Sequence, residues 1–170
     1  MKKTSLLKTG ILSAFLSLFA IAAMAQEEKP SPARTAEGTI NSTQVTIKYS
    51  SPAVKGRTIW GEVVPMGKVW RAGANEATIV EFGSDVSVQG QALPAGKYSL
   101  FIIPDAGEST FIFNKQTGQW GTQYDQSQDQ LRVKVASQES SSFEERLVYE
   151  VKSSGIEVRW AEAKAMVRVE

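Results

Sequence analysis

The feature that most constrains the fold is an alternation of apolar and polar side chains that recurs from residue 44 onward. QVTIKYS places Val45, Ile47 and Tyr49 on one side and polar side chains on the other. Successive side chains of a strand point to opposite faces of a sheet, so this pattern indicates a half-buried strand. Eight further segments have the same character: ATIVEF, VSVQG, KYSLFII, STFIFN, LRVKVA, RLVYEV, GIEVRWA and AMVRVE. No comparable stretch after the N-terminal residues has the period of a long amphipathic helix.

Turn-forming residues separate these segments and indicate how they connect. Leu93-Pro94-Ala95-Gly96 suits a type I turn, which predicts a hairpin between VSVQGQA and KYSLFII. Within the second arm SLFII is apolar on both faces, as in a central strand that is covered on both sides. About nine short strands joined by tight turns predict an all-β fold, with an antiparallel β-sandwich of jelly-roll or Greek-key type favoured over a barrel.

The N-terminal residues have the pattern of a cleavable export signal. Three lysines, Lys2, Lys3 and Lys8, precede an apolar run over residues 11–25. That run is shorter than the roughly 20 residues that a transmembrane helix needs. The small residues of Ala23-Met24-Ala25 suit signal-peptidase cleavage before Gln26, which we prefer to an uncleaved membrane anchor.

The predicted organisation is a signal peptide, a disordered linker and one domain. The linker begins with QEEKPSPAR, which is polar and contains two prolines. The expected boundaries are 1–25 for the signal peptide, 26–38 for the linker and 39–170 for the single all-β domain. The mature protein is then periplasmic or secreted, with no transmembrane segment after cleavage.

Composition excludes several classes of chemistry. The chain contains no histidine and no cysteine, so it cannot form a Ser-His-Asp triad, a Cys-His pair or an ordinary zinc site. It also lacks a D-x-[DN]-x-[DN]-G calcium loop, and we expect no metal site and no cofactor. Without the three lysines of the signal, 16 basic side chains face 18 acidic ones. That balance predicts no nucleic-acid partner.

Two long connections interrupt the regular strand spacing, and the first is the richer in candidate site residues. Residues 51–75 include Trp70, Arg71 and Asn75, and Glu76 follows. An indole beside a guanidinium, an amide and a carboxylate is suited to stacking on a sugar ring and bonding its hydroxyls. The alternative is that Trp70 packs on the core and Arg71 pairs with Glu76 or with loop carbonyls.

The second connection, residues 115–130, contains Trp120 between two glycines, followed by Tyr124. Trp120 has few apolar neighbours in the sequence, so it either covers one end of the fold or provides a surface on which a ligand stacks. We predict ligand contacts from both residues, and a shared cleft if the two connections meet. Trp160 alternates with Val158 in EVRWA and is expected in the core.

The chain resembles an exported bacterial family, the domain of unknown function 2911. The resemblance rests on SPAVKGRTIWGEVVPMGKVWRAGANEATIVEF, GQALPAGKYSLFIIP, FIFNKQTGQWG and LRVKV, and it covers about residues 40–170. It implies export and an all-β domain, and it supplies no activity and no catalytic residue.

Three functions are consistent with these patterns. The favoured one is an envelope protein that binds a small polar ligand, with carbohydrate the leading class, and is not an enzyme. A glycan hydrolase is the first alternative, for which Glu62 and Glu76 are the only carboxylate pair that stands out. The second alternative is a protein–protein interaction module of the envelope.

Overall fold

The computed structural model describes residues 30–170, and the predicted signal peptide lies outside this range. The described residues form nine strands and one short 3-10 helix, Gln126–Gln128. The strands are β1 (Ala33–Ile40), β2 (Thr43–Ser50), β3 (Thr78–Phe82), β4 (Val86–Val88), β5 (Gln91–Leu93), β6 (Gly96–Ile103), β7 (Glu108–Asn114), β8 (Asp129–Lys152) and β9 (Gly155–Arg168). All pairings between them are antiparallel, which confirms the predicted all-β class.

The main sheet is nearly barrel-shaped rather than clearly a sandwich. Its seven strands follow the order β1-β2-β3-β6-β7-β8-β9, and β4 and β5 form a separate hairpin. In that hairpin β4 also exchanges backbone hydrogen bonds with the end of the chain, between Ser87 and Glu170 at 2.7 and 2.9 Å. The strands of the main sheet therefore lie side by side in the order in which they follow along the chain, and none crosses over another as in a Greek key. Sheet twist then curls the meander, so the predicted jelly-roll or Greek-key sandwich is corrected to a curled meander.

A segment that follows β2 brings the two ends of the curled sheet together. Val54 N donates to Glu145 O at 2.7 Å, and Leu147 N donates to Pro52 O at 3.0 Å. The Ser51 hydroxyl adds a buried bond of 2.7 Å to the Leu147 carbonyl oxygen. These bonds connect the end of β2 to the middle of β8, and they close much of the gap that an open sheet would leave.

The N-terminal part of the domain begins earlier than the sequence pattern indicates. β1 starts at Ala33, so residues 33–38 lie in the sheet rather than in the linker expected over 26–38. Apart from Ile40, β1 has no fully buried residue, because β1 pairs along one edge with β2 and exposes most of its side chains. An edge strand of this kind lacks the apolar alternation that marks half-buried strands.

The prediction of a hairpin turn at Leu93–Gly96 is wrong, because the hairpin turns at Gln89 and Gly90. β4 reverses into β5 through Gln89 and Gly90, whose φ angles of 50° and 80° both lie in the left-handed region. Two such residues form the turn that matches strand twist in two-residue hairpins. β6 instead pairs with β3 and β7.

β8 is longer than the sequence pattern indicates. The polar stretch over residues 137–145 lies inside β8 and joins the two predicted strands LRVKVA and RLVYEV into one. Its pairing with β9 shifts register between Glu139 and Glu144 and again between Glu144 and Val148. Such irregularities bend a strand, which allows β8 to follow the curled sheet.

The core fills the interior of the curled sheet, and β6 is its most buried strand. Residues 98–102 are all buried, which confirms the prediction of a strand covered on both sides. Leu100 and Ile102 belong to the main core, whereas Phe101 packs with Ala77 and Ile112 in a small cluster of its own. β6 therefore separates two environments, and residues beside it can face either one.

Candidate functional site

The first long connection runs beside β6 and directs consecutive side chains into the two environments. Trp70 and Ile102 exchange both backbone hydrogen bonds at 2.8 Å, so the chain is extended here. Trp70 packs against the main core, whereas the side chain of Arg71 lies against Gly121 in the second connection. Extended backbone alternates its side chains, so these neighbours diverge. The structure thus separates two side chains that the sequence pattern had placed in one site.

Trp70 belongs to a cluster of three indoles. Its ring stacks on Trp160 at 5.7 Å between centroids and 16° between planes. Trp60 meets both rings edge-on, at 5.9 Å from Trp70 and 6.1 Å from Trp160. Edge-on and stacked contacts at these distances are favourable arrangements of aromatic rings. Trp160 is buried, as predicted, while Trp60 and Trp70 are half-buried.

The three indoles form part of the wall of a cavity of about 290 Å³, which we call the indole pocket. Apolar side chains complete most of the wall: Met66, Ile102, Pro104, Phe111, Val158, Ala163 and Ala165. The charged residues that line it are Asp105, Glu139, Glu162 and Lys164. Because the three carboxylates are on exposed residues and outnumber the single lysine, the mouth of the pocket carries net negative charge.

Two indole N–H groups at this site lack an acceptor. Trp60 Nε1 and Trp160 Nε1 are both buried, and neither has a hydrogen-bond partner among residues 30–170. Buried indole N–H groups normally find one, because burying an unpaired donor costs about 1–3 kcal/mol. The wall of the pocket therefore includes two indoles whose N–H groups are buried and unpaired in this part of the chain.

The second long connection pairs with the end of the first in a short arrangement that we call the loop clasp, residues 75–77 against 119–121. Gly121 N donates to Asn75 O at 3.0 Å, and Ala77 N donates to Gln119 O at 3.2 Å. Glu76 lies opposite Trp120 between these bonds. The two connections do meet, as the sequence hypothesis required, and they meet through backbone bonds.

Among the clasp residues that the sequence analysis proposed as stacking surfaces or donors, Trp120 is exposed and available to a partner. Its side chain is 49% exposed, whereas Asn75 is half-buried and its amide donates to the Ser50 hydroxyl at 3.2 Å. Asn75 also adopts a φ of 60°, a left-handed conformation that asparagine tolerates better than most residues. The local fold thus already uses the Asn75 amide, and Trp120 is free at the surface.

Tyr124 lies apart from the indole pocket, and hydrogen bonds already occupy its hydroxyl. The hydroxyl donates to Asp129 at 2.6 Å and accepts from Arg132 at 2.6 Å, while the ring packs edge-on against Phe101. Burial and the bond to Asp129 raise the pKa of Tyr124 to about 12, despite the opposing effect of Arg132. Tyr124 is therefore protonated at neutral pH, and it anchors the second connection to the start of β8.

The carboxylates singled out from the sequence lie in different places. Glu62 lies in the turn closed by the Gly61 N to Val64 O bond, and Glu76 lies in the loop clasp. Both are exposed, and neither lines the indole pocket. Within residues 30–170 there is no group of three or more acidic side chains placed to hold a metal ion. The same part of the chain has no helix long and apolar enough to cross a membrane.

Sequence reasoning missed the pocket because its wall comes from distant segments. Trp60 lies in the first connection and Trp160 is expected in the core, and the sequence pattern marks neither as a site residue. The pairing of Ser137 with Ala165 brings β8 and β9 to the same wall. No local signal in the sequence indicates that Trp60, Trp70 and Trp160 converge, because their meeting depends on how the sheet curls.

Comparison with known proteins identifies the family. The family model described as Protein of unknown function (DUF2911) matches residues 31–169. The chain therefore belongs to this family, and the resemblance seen in the sequence is confirmed. No curated protein and no solved structure shows a significant match to the chain.

Proposed function

We propose that this member of the DUF2911 family binds a small ring-shaped molecule, uncharged or cationic, in the indole pocket. The observation that carries the proposal is the largely apolar wall of the cavity, in which the rings of Trp60, Trp70 and Trp160 contact one another. A ligand with an apolar ring face would pack against this wall and keep its polar atoms toward the charged mouth. Pockets of a few hundred Å³ with apolar walls and a few convergent polar groups are the usual form of small-molecule sites.

The negative charge at the mouth of the pocket favours uncharged and cationic ligands over anions. Asp105, Glu139 and Glu162 would repel an anion and attract a cation, and indole faces also attract cations. Sugars and neutral heteroaromatic molecules share the required chemistry, since each has an apolar ring face and acceptor oxygen or nitrogen atoms. The carbohydrate class predicted from the sequence thus becomes one arm of the proposal, and heteroaromatic rings become the other.

A hydrolase based on Glu62 and Glu76 receives no support from this geometry, because neither residue lines the indole pocket. We further propose that binding takes place outside the cytoplasm. That step rests on the signal pattern of residues 1–25, which lie outside the described residues.

Calorimetric titration of residues 26–170 tests the pocket with four probes: glucose, N-acetylglucosamine, nicotinamide and the N-methylnicotinamide cation. Trp60→Phe keeps an aromatic ring but reduces the apolar wall that the indole provides, so we expect the affinity for the bound probe to fall about 2- to 10-fold. Trp120→Phe makes the same chemical change at the surface and is the matched control, for which we expect unchanged affinity.

Either of two results would contradict the proposal. One is equal weakening in the Trp60→Phe and Trp120→Phe variants, and the other is that none of the four probes binds. The identity of the bound probe distinguishes the two arms, because the sugars and the nicotinamide pair share the ring face and the acceptors but differ in aromaticity. Thermal unfolding of each variant shows whether the fold is retained.

A further inference from the structure

We propose that Arg71 and Gln119 form a second site, separate from the indole pocket, that binds a small oxyanion of the carboxylate type. The site lies beneath the loop clasp, where the side chain of Arg71 crosses the backbone at Gly121. It takes ligands of the opposite charge to those proposed for the indole pocket. The two proposals therefore stand or fall separately.

Arg71 is a cation without a counter-ion in the described part of the chain. It forms no hydrogen bond and no ion pair there, and its Nε is buried without an acceptor. By contrast, Arg57 donates to two carbonyl oxygens, and Arg132 pairs with Asp129 at 2.7 Å. Leaving a desolvated guanidinium donor unpaired is unfavourable, and a planar oxyanion is the acceptor whose geometry a guanidinium matches best.

Gln119 supplies a second donor on the same side of the clasp. Trp120 forms a single antiparallel bridge with Glu76 and is 49% exposed, whereas Gln119 is 8% exposed. Gly121 is also buried, so Gln119 and Gly121 lie on the inner side of the clasp, where Gly121 meets Arg71. Gln119 Nε2 is buried and has no acceptor, while its Oε1 lies 3.5 Å from the Ser99 hydroxyl.

The described part of the chain provides no acceptor for these two donors. Glu76 is the carboxylate nearest to Arg71 along the chain, but it is exposed and forms no ion pair with Arg71 among the described residues. One charged and one neutral donor, both desolvated and facing the same side of the clasp, form a set that an oxyanion can satisfy at once. A neutral ligand would leave the guanidinium charge uncompensated.

Thermal unfolding at constant ionic strength tests the site, with sodium chloride replaced stepwise by acetate, sulfate or phosphate. At ten times Kd, the bound oxyanion should raise Tm by about 3–6 °C over chloride. Arg71→Met keeps an apolar stem against Gly121 and removes the guanidinium, so the rise should disappear. Gln119→Met should weaken binding about 2- to 10-fold, because one neutral donor is lost.

Lys115→Met is the control for general charge effects, because Lys115 is exposed in the same connection. Its backbone N–H donates to Gln128 O at 2.8 Å, and its side chain has no bond within residues 30–170. It should keep the full rise in Tm. An equal rise in Arg71→Met, or no difference between the oxyanions and chloride in the wild-type protein, would overturn the proposal. Preference among acetate, sulfate and phosphate identifies the oxyanion.

The wild-type protein also offers a direct readout if Arg71→Met fails to fold. In ¹H–¹⁵N spectra of arginine-labelled protein, the Arg71 Nε–H resonance should shift and exchange more slowly as acetate is added. The resonance of Arg159, which is already bonded to carboxylates, should not move. A stationary Arg71 resonance would refute the site, whatever the outcome of the indole-pocket titrations.

Discussion

Gly121 lies where two loops and a long side chain share one small space. A Cβ atom at this position would come within 2.3 Å of Arg71 Cδ and 2.7 Å of the Asn75 carbonyl oxygen. The second contact is with backbone that is itself held by the clasp bond from Gly121 N to Asn75 O. The absence of a side chain is therefore a packing requirement, since nothing in the clasp can move aside independently.

Replacement of Gly121 by alanine should lower the free energy of unfolding by about 1–3 kcal/mol, because the added methyl group overpacks the clasp. Gly83→Ala is the matched control, since an added Cβ there meets its nearest atom, Gln44 O, at 3.4 Å. The φ angle of Gly83 is not positive, so the control also introduces no left-handed strain. Urea titration of both variants measures the difference, and equal stabilities would show that the clasp tolerates a side chain.

At the scale of the elements, β8 and β9 are held together on their outer surface by an ion-pair cluster around Arg159. The guanidinium bonds Glu144 at 3.1 Å, Glu150 at 2.9 Å and also Glu157, and Lys152 lies 3.1 Å from Glu157. The bond to Arg159 holds the pKa of Glu150 below its usual value. Burial alone would raise the pKa of Glu157, but the bonds to Lys152 and Arg159 outweigh it and lower that pKa as well.

These pKa shifts predict acid sensitivity that depends on Arg159. A carboxylate whose pKa is lower in the folded state than in the unfolded state stabilises the fold above its unfolded pKa, here 4.5. That contribution is lost as pH falls below this value. We expect Arg159→Met to flatten the decline in unfolding free energy below about pH 4.5. Lys97→Met removes an isolated exposed pair with Glu81 and should leave the decline unchanged. An equal slope in the wild type and Arg159→Met would contradict the prediction.

The elements also show which features the sequence could predict. Strands with one buried face, such as β2 and β3, alternate apolar and polar residues clearly, and the sequence predicts them. The sequence does not predict β1, because an edge strand with a single fully buried residue has no alternation to detect. The polar middle of β8 could not be predicted as strand, because its exposed residues have the composition of a linker, although backbone pairing with β9 keeps it extended.

Only those parts of the candidate site whose residues are close together in the sequence could be predicted. The sequence leaves open whether the two connections meet, and the structure shows that they do, through backbone bonds that any sequence could form. Trp70 and Arg71 were grouped because they are adjacent, yet extended backbone sends them to different environments. The indole pocket could not be predicted, because Trp160 reaches Trp60 and Trp70 only once the sheet has curled.

At the scale of the whole molecule, the hydrogen bonds that close the sheet also hold the connection that forms the pocket wall, so the pocket should open only when the sheet unfolds. The segment that follows β2 is bonded to β8 through Val54 and Leu147, and the same connection continues to Trp60 and Trp70. Tyr149 adds a buried bond of 2.8 Å from its hydroxyl to the Ala72 carbonyl oxygen, beyond the indoles. The connection is thus tied to the sheet on both sides of the pocket wall, and it should not open without the sheet.

We therefore expect the pocket and the sheet to unfold in one cooperative transition. Tryptophan fluorescence reports mainly on three indoles that join the first connection to β9, and far-UV circular dichroism reports on the strands. In urea the two signals should have the same midpoint, as two-state unfolding requires. Trp120→Phe removes the exposed indole and should leave that agreement intact. A lower midpoint by fluorescence would show that the connection opens as a separate unit, and the pocket would then be gated by local unfolding rather than preformed.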